Sequence, residues 1–369
     1  MRDFRSFEFD LIAELSTGIA SEDVDSFPAS RLDDASLLAS MWQKSIRRGD
    51  EGAACMAAAA LYDLDERYVW RRIRSIALED VSVANLALVA QIVAVSSKAS
   101  LLRKLGSKHT LLHVTRSLAR SPKCRTGCEL MVWRSAPALQ ADVVSVDDLR
   151  GMQETAFDEV VLGRNADAWL STESFSVRKS GVWTQINRGC AAKRQSFLEA
   201  IGASSLVEYV TMKASRTDRL NAMVPVVDQL VRVKSSVVES PISQGHPVEV
   251  IGGYPAYSYC LFSKPGRAAL WEVLRTTRWG RRLAALGVGN PVYALGSLVF
   301  YVEGGFCDRT LQVAHWSKIR WLSRTSQLGQ AGIPAAHVSE FLDEVFQDLP
   351  IINRCRRKVS SESPDGRLA

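Results

Sequence analysis

The sequence predicts a mainly α protein: a helical N-terminal domain, then a second, mostly helical domain with a few short strands. Three observations carry this. Apolar residues recur at helical spacing from Ala35 to about Ser135. Glu51 to Leu64 is an alanine-rich run that favours helix strongly. Helical patterns return in Lys193–Ile201, Leu220–Val238, Ala268–Arg275 and His337–Phe346. The chain has 369 residues, of which 47% are hydrophobic and 23% charged, so it is long and apolar enough to build a sizeable core.

Taken in order, residues 1–35 form an acidic segment in which Ser21–Pro28 reads as a loop. Gly49 is placed to stop one helix, and Asp50 to cap the next. On a wheel of roughly 100° per residue, Val69, Ile73 and Ile76 share one side of the next helix. Arg67, Arg71 and Arg74 share the other. Glu79-Asp80 is placed to end that helix and cap its successor, because acids favour the positive N-terminus. Lys98–Ala119 reads as a helix or helix pair, which Ser121-Pro122 breaks.

Residues 36–135 form the first domain and 136–357 a second of unknown type. Its first thirty residues read as a connector, with Ser145–Leu149 as a helix start. Short strands are expected at Thr172–Val177, Gly181–Thr184 and within Val248–Pro255. Residues 358–369 are expected to be a disordered tail.

The formal net charge is +6, a mild basic excess compatible with nucleic acid without demanding it. The first ten residues carry acids and no apolar signal core. The apolar stretch Val81–Val95 is interrupted by Ser82, Asn85 and Gln91, too short and polar for a membrane span. Seven scattered cysteines suggest reduced thiols. A cytoplasmic protein with no membrane partner is the expectation.

Four motif segments stand in register within 36–135. They are Lys44-Ser45-x-Arg47-x-Gly49-Asp50; Arg71-Arg72 with Ile76-Ala77-x-Glu79-Asp80; Ala84-Asn85; and Leu118-Ala119-x-Ser121-Pro122-Lys123. In order and spacing they resemble the C-terminal helical region of the RarA/MgsA family of AAA+ ATPases, which act at replication forks. The resemblance implies an all-helical, oligomer-forming domain. It covers just over a quarter of the chain and excludes the ATPase module, and no Gly-x-x-x-x-Gly-Lys-Ser/Thr run is present to cradle phosphates. Gly287-Val288-Gly289-Asn290-Pro291 is no dinucleotide fingerprint either.

His109-x-x-x-His113 and Cys124-x-x-x-Cys128 each space two zinc-type ligands by one helical turn, but such pairs are commoner as packing, so no metal or cofactor is expected. No catalytic residue is assigned, since neither a Ser/His/Asp nor a Cys/His arrangement is readable. The best binding signal is basic residues interleaved with aromatics. Arg275, Arg278, Arg281 and Arg282 form one block, and Trp316, Lys318, Arg320 and Trp321 another. With Arg67, Arg71 and Arg74 they form the candidate nucleic-acid surface: the cations would neutralise phosphates and a tryptophan would stack on an unpaired base. The functional expectation is a non-catalytic, homo-oligomeric module of DNA replication, recombination or repair, with DNA or a fork protein as partner. The alternatives are an enzyme with an unrecognised active site in the second domain, and a purely structural self-associating protein.

Overall fold

A computed structural model describes residues 4–21, 32–134, 174–175, 186–187, 195, 198–199, 201–214, 220–233, 237–240 and 248–362. The protein is mainly α, with a few short strands. Helix α1 spans Arg5–Ala20, α2 Ala35–Arg48, α3 Glu51–Leu64 and α4 Glu66–Ile76. A π turn at Ala77–Val81 and a 3-10 turn at Ser82–Asn85 lead into α5, Leu86–Ser96. Then come α6 (Ala99–Leu105), α7 (Ser107–Arg120) and α8 (Thr126–Arg134).

Local chemistry accounts for the boundaries. Asp34 caps α2 by accepting from the Ser36 and Leu37 N–H groups. Gly49 ends α2 at φ +69°, a left-handed turn that glycine adopts without strain. Asp50 then caps α3 through the Ala53 N–H at 2.9 Å. The expected pair at Lys98–Ala119 is α6 and α7, divided at Gly106, and α7 stops before Ser121-Pro122.

One expectation is corrected. Asp80 does not cap α5; Asn85 does, accepting from the Leu88 N–H. The cause is the π turn, which carries Asp80 into the interior.

Two-residue strands β1 (Ser174–Phe175) and β2 (Ile186–Asn187) pair antiparallel. The expected connector, with Ser145–Leu149, and the strand at Gly181–Thr184 lie outside the described residues. Helix α9 (Ser205–Ala214) and α10 (Val224–Val233) follow, then β3 (Val237–Glu239) and the hairpin β4–β5 (Val250–Ile251, Tyr254–Pro255). The last part contains α11 (Lys264–Thr276), α12 (Arg278–Ala285), α13 (Pro291–Val299), a second π turn (Phe300–Gly304), β6 (Thr310–Gln312), α14 (Trp316–Gln330) and α15 (Val338–Glu362). Strand β6 pairs antiparallel with β3, Leu311 opposite Val238. The last helix continues through Glu362, past the point where a disordered tail was expected, because Lys358 pairs with Glu272 of α11 at 2.7 Å.

Three cores hold these parts together. The largest lies among α1–α7 and α9, and Ile251, Tyr254, Ala256 and Tyr259 enter it from the far half of the chain. The second packs α11, α12 and α13 on α15 around Trp279, Leu295 and Phe341. The third joins α8, α10 and α14 through Leu130, Val227, Leu230, Ile319 and Leu322. The helical run Glu66–Ser96 has the length and composition of a membrane span, with a mean hydropathy of 1.6 over its best window. Within this fold 61% of that window is buried.

Candidate functional site

Four of the motif residues meet at one buried seam. Leu37, Met41 and Lys44 follow helical spacing along α2, so Lys44 points inward with the apolar residues. Arg47 and Lys44 are 3% and 4% exposed respectively, and Asp80 and Lys123 are fully buried. Burying a charge is costly unless it is paired and hydrogen-bonded. Each of these has partners.

Arg47 donates to Asp80 at 2.6 Å, to Glu79 at 2.9 Å and to the Gly304 carbonyl at 3.0 Å. Asp80 also accepts from Gln43 Nε2 at 2.8 Å. Arg125 reaches Glu79 at 3.3 Å, and its Nε lies 3.2 Å from Asp80 without hydrogen-bond alignment. The guanidinium groups of Arg47 and Arg125 sit 5.5 and 5.2 Å from the Phe300 ring centre, within cation–π range. Burial alone would push the Glu79 carboxyl up; Arg47, Arg125 and Arg72 outweigh it and hold it below the ordinary value.

The same residues tie the two halves of the chain. Lys44 donates to the Tyr257 carbonyl, and Arg48 to that of Glu303. The Lys123 N–H donates to the Arg309 carbonyl, and the Leu311 N–H returns a bond to Lys123. Glu303 in turn pairs with Arg356 of α15 at 2.8 Å. The two π turns therefore face one seam, Glu79 and Asp80 from the first and Phe300 and Glu303 from the second.

Beside the seam lies a cavity of about 940 Å³. This is within the size range of small-molecule sites. Gln43, Lys44, Arg47, Arg72, Glu79, Arg125 and Glu129 supply its polar lining. Leu61, Leu64, Met131, Phe262 and Phe300 supply its apolar lining. Several polar atoms on its walls lack a partner. Arg72 donates to neutral Gln43 Oε1 and leaves its Nε unpaired. Glu129 Oε2 has no hydrogen bond, and burial pushes that carboxyl up, towards its neutral form. Ser297 Oγ, in a residue 1% exposed, is likewise unpaired.

Cys260 lines the same cavity. Its Sγ lies 3.2 Å from Ser40 Oγ and accepts from the Phe262 N–H at 3.4 Å. Burial would push the thiol up, but the Lys44 ammonium beside it brings it down to about 7. Burial pushes Lys44 down.

The residues expected to bind nucleic acid stand on four helices, α4, α11, α12 and α14. Arg67 and Arg71 lie on the exposed face of α4, opposite buried Val69, Ile73 and Ile76, while Arg74 is half-buried. Arg275 pairs with Glu272, Arg278 with Glu344 and Asp348, and Arg282 with Glu340 and Glu344. Arg281 is exposed, and Trp279 between them is core, set edge-on to Phe341. On α14, Arg320 stacks over half-buried Trp316, while Lys318 and Trp321 face solvent.

The two zinc-type pairs point apart. His113 packs against Gly18 of α1, Cys124 lies in the third core, and Cys128 lines the cavity. Among the described residues no group of three or more His, Cys, Asp or Glu side chains is set to hold a metal ion.

Sequence reasoning missed the cavity and Cys260. One signal was legible: Lys44, Arg47 and Asp80 are charges on otherwise apolar faces. Comparison with family models, curated proteins and solved structures finds no match to this chain.

Proposed function

We propose that this chain is a binding protein for a small amphipathic anion, held in the cavity beside the α2 seam. The observation that carries the proposal is the set of unpaired polar atoms, Arg72 Nε foremost, on the wall of a cavity lined by both charged and apolar side chains. Arg47 and Arg125 are already matched by Glu79 and Asp80. Arg72 hydrogen-bonds only neutral Gln43 and acts on Glu79 through space alone, so its Nε stays open to a carboxylate or sulfonate. Leu61, Leu64, Met131 and Phe262 would take the apolar body.

Anilinonaphthalene sulfonate, one anionic group on an apolar ring system, is the probe. Saturable single-site fluorescence enhancement is expected, weakened about tenfold or more by Arg72→Met, as loss of a charge-assisted hydrogen bond requires. Enhancement that does not saturate, or that Arg72→Met leaves unchanged, would refute the reading.

A second reading keeps the replication-fork association that the RarA/MgsA-like motif order implies, with self-association through the helical domain. The exposed Arg67/Arg71 face supports it. DNA affinity through that face should fall steeply with salt, and Arg67→Ala with Arg71→Ala should weaken it across all sequences. No binding to single-stranded, duplex or forked DNA at low salt would remove this reading.

A further inference from the structure

Resting on the reading of the cavity as an anion-binding site, we propose that Cys260 is a covalent attachment site within it, taking a small disulfide that carries carboxylates. Geometry makes the case. Sγ is surrounded by groups that stabilise a thiolate: the Lys44 side chain, the Ser40 hydroxyl and the Phe262 N–H. It also stands shortly before the N-terminus of α11, whose dipole favours negative charge.

The site is more than a cysteine in a favourable field. Cys260 opens onto the cavity, and so does Ser297, whose buried hydroxyl has no partner. The two walls are in contact: a Cβ placed on Gly296 would lie 3.0 Å from Leu261 Cβ. Arg72 lines the same space and supplies the charge for a carboxylate.

The step balances without another reactant. The thiolate attacks one sulfur of the disulfide. The new S–S bond forms as the old one breaks, and the departing thiolate leaves with the electron pair and takes a proton from water. Excess small thiol reverses it.

Thiols whose pKa lies near ambient pH exchange best, and Cys260 lies at about 7. Burial instead pushes Cys124 up to about 11 and Cys128 to about 12, and raises Cys307 and Cys355. Among these five described thiols Cys260 is the one held near neutral pH.

The test uses the full chain with dithiobis(nitrobenzoate), an aromatic disulfide bearing a carboxylate on each ring, and with neutral dithiodipyridine. One equivalent of nitrothiobenzoate should be released fast, peptide mass analysis should place the adduct on Cys260, and Cys260→Ser should abolish the fast phase. Its rate should rise about tenfold per pH unit and level off above pH 7. Lys44→Met should move that plateau to higher pH; should it not fold, Ser40→Ala reads the same direction. Arg72→Met should slow the carboxylated reagent about tenfold and leave the neutral one unchanged. Modification spread evenly over the cysteines of the native chain would overturn the proposal. Fast modification of Cys260 at equal rates by both reagents would overturn its carboxylate preference and the anion reading, leaving the thiol itself as the reactive site.

Discussion

Arginine meets carboxylate in two places in this molecule, with opposite surroundings. Between α12 and α15, Arg278 and Arg282 form a ladder with Glu340, Glu344 and Asp348, and the two arginines are 51% and 29% exposed. At the seam, Arg47 and Asp80 are 3% and 0% exposed. In the ladder water reaches the arginines and Glu340, while Glu344 and Asp348 are 18% and 15% exposed, so the pairs are screened on one side and add less. In the seam Arg47 and Asp80 are shielded from water, and either ion without its partner is intolerable. The buried pairs therefore act less as a source of net stability than as a condition on docking: the halves join only where Arg47 finds Glu79, Asp80 and Gly304 together.

The sharpest way to break the comparison is to delete one arginine from each place. Arg47→Ala should cost about 3–5 kcal/mol in denaturant unfolding, since it leaves Asp80 buried without its closest cation. A loss below about 1 kcal/mol would mean that water reaches the seam, and the contrast would collapse.

Acid tests the seam as a whole. The folded Glu79 and Glu303 carboxyls lie below their ordinary value of 4.5; burial opposes this, and their arginine partners outweigh it. The unfolded chain then takes up protons first as pH falls. Their stabilisation is complete above about 4.5 and is lost as pH drops through the folded values. Glu129, raised by burial, works in reverse, its contribution fading as pH rises above 4.5. The melting temperature should fall on acidification below pH 4.5, and Glu129→Gln should remove the gain that Glu129 contributes as pH falls towards 4.5 from above. High salt sharpens the point, because it screens Glu340 of the ladder and leaves the seam nearly untouched.

A smaller effect is expected at the hinge between α2 and α3. Gly49→Ala forces a side chain into a left-handed backbone, where its Cβ would run into the Asp308 carboxylate. The backbone term alone is about 1–2 kcal/mol. Thermal unfolding of Gly49→Ala beside Gly52→Ala, in the first turn of α3 at an ordinary φ, separates this from a general change in the chain. Smallest of all, Arg278→Ala should cost about 0.2–1 kcal/mol and lose even that in high salt.

Much of the helical order was legible because it is local. Gly49, Asp50, Gly106 and Ser121-Pro122 punctuate the chain through their own backbone chemistry. The basic block at 275–282 was legible as a block but not as a ladder. Its acids lie on a helix that starts at Val338, and nothing within the block announces them. The cavity is less local still. Its walls come from α2, α3, α4, α8, α13 and α14, and no single stretch of sequence shows that Cys260 and Lys44 are neighbours. The π turn at Ala77–Val81 defeats pattern reading for another reason: one residue more in the turn moves Asp80 from a capping position to the interior.

The bond from Arg47 to Gly304 spans 257 residues, and this gives the seam a history. A ribosome adding about 5–20 residues per second needs roughly 13–50 s to travel that distance. For that interval α2 exists without the carbonyls and aromatic ring that receive its charges. Helices α2, α3 and α7 can associate early through their apolar faces, and Arg47 can already meet Glu79 and Asp80, but Lys44 must wait for the Tyr257 carbonyl and Arg47 for that of Gly304. The nascent N-terminal half thus lacks the buried acceptor of Lys44 until then. A truncated product that stops before Phe300 would carry that hydrated, unsealed face into the cell, where quality-control proteases could distinguish it from the finished molecule.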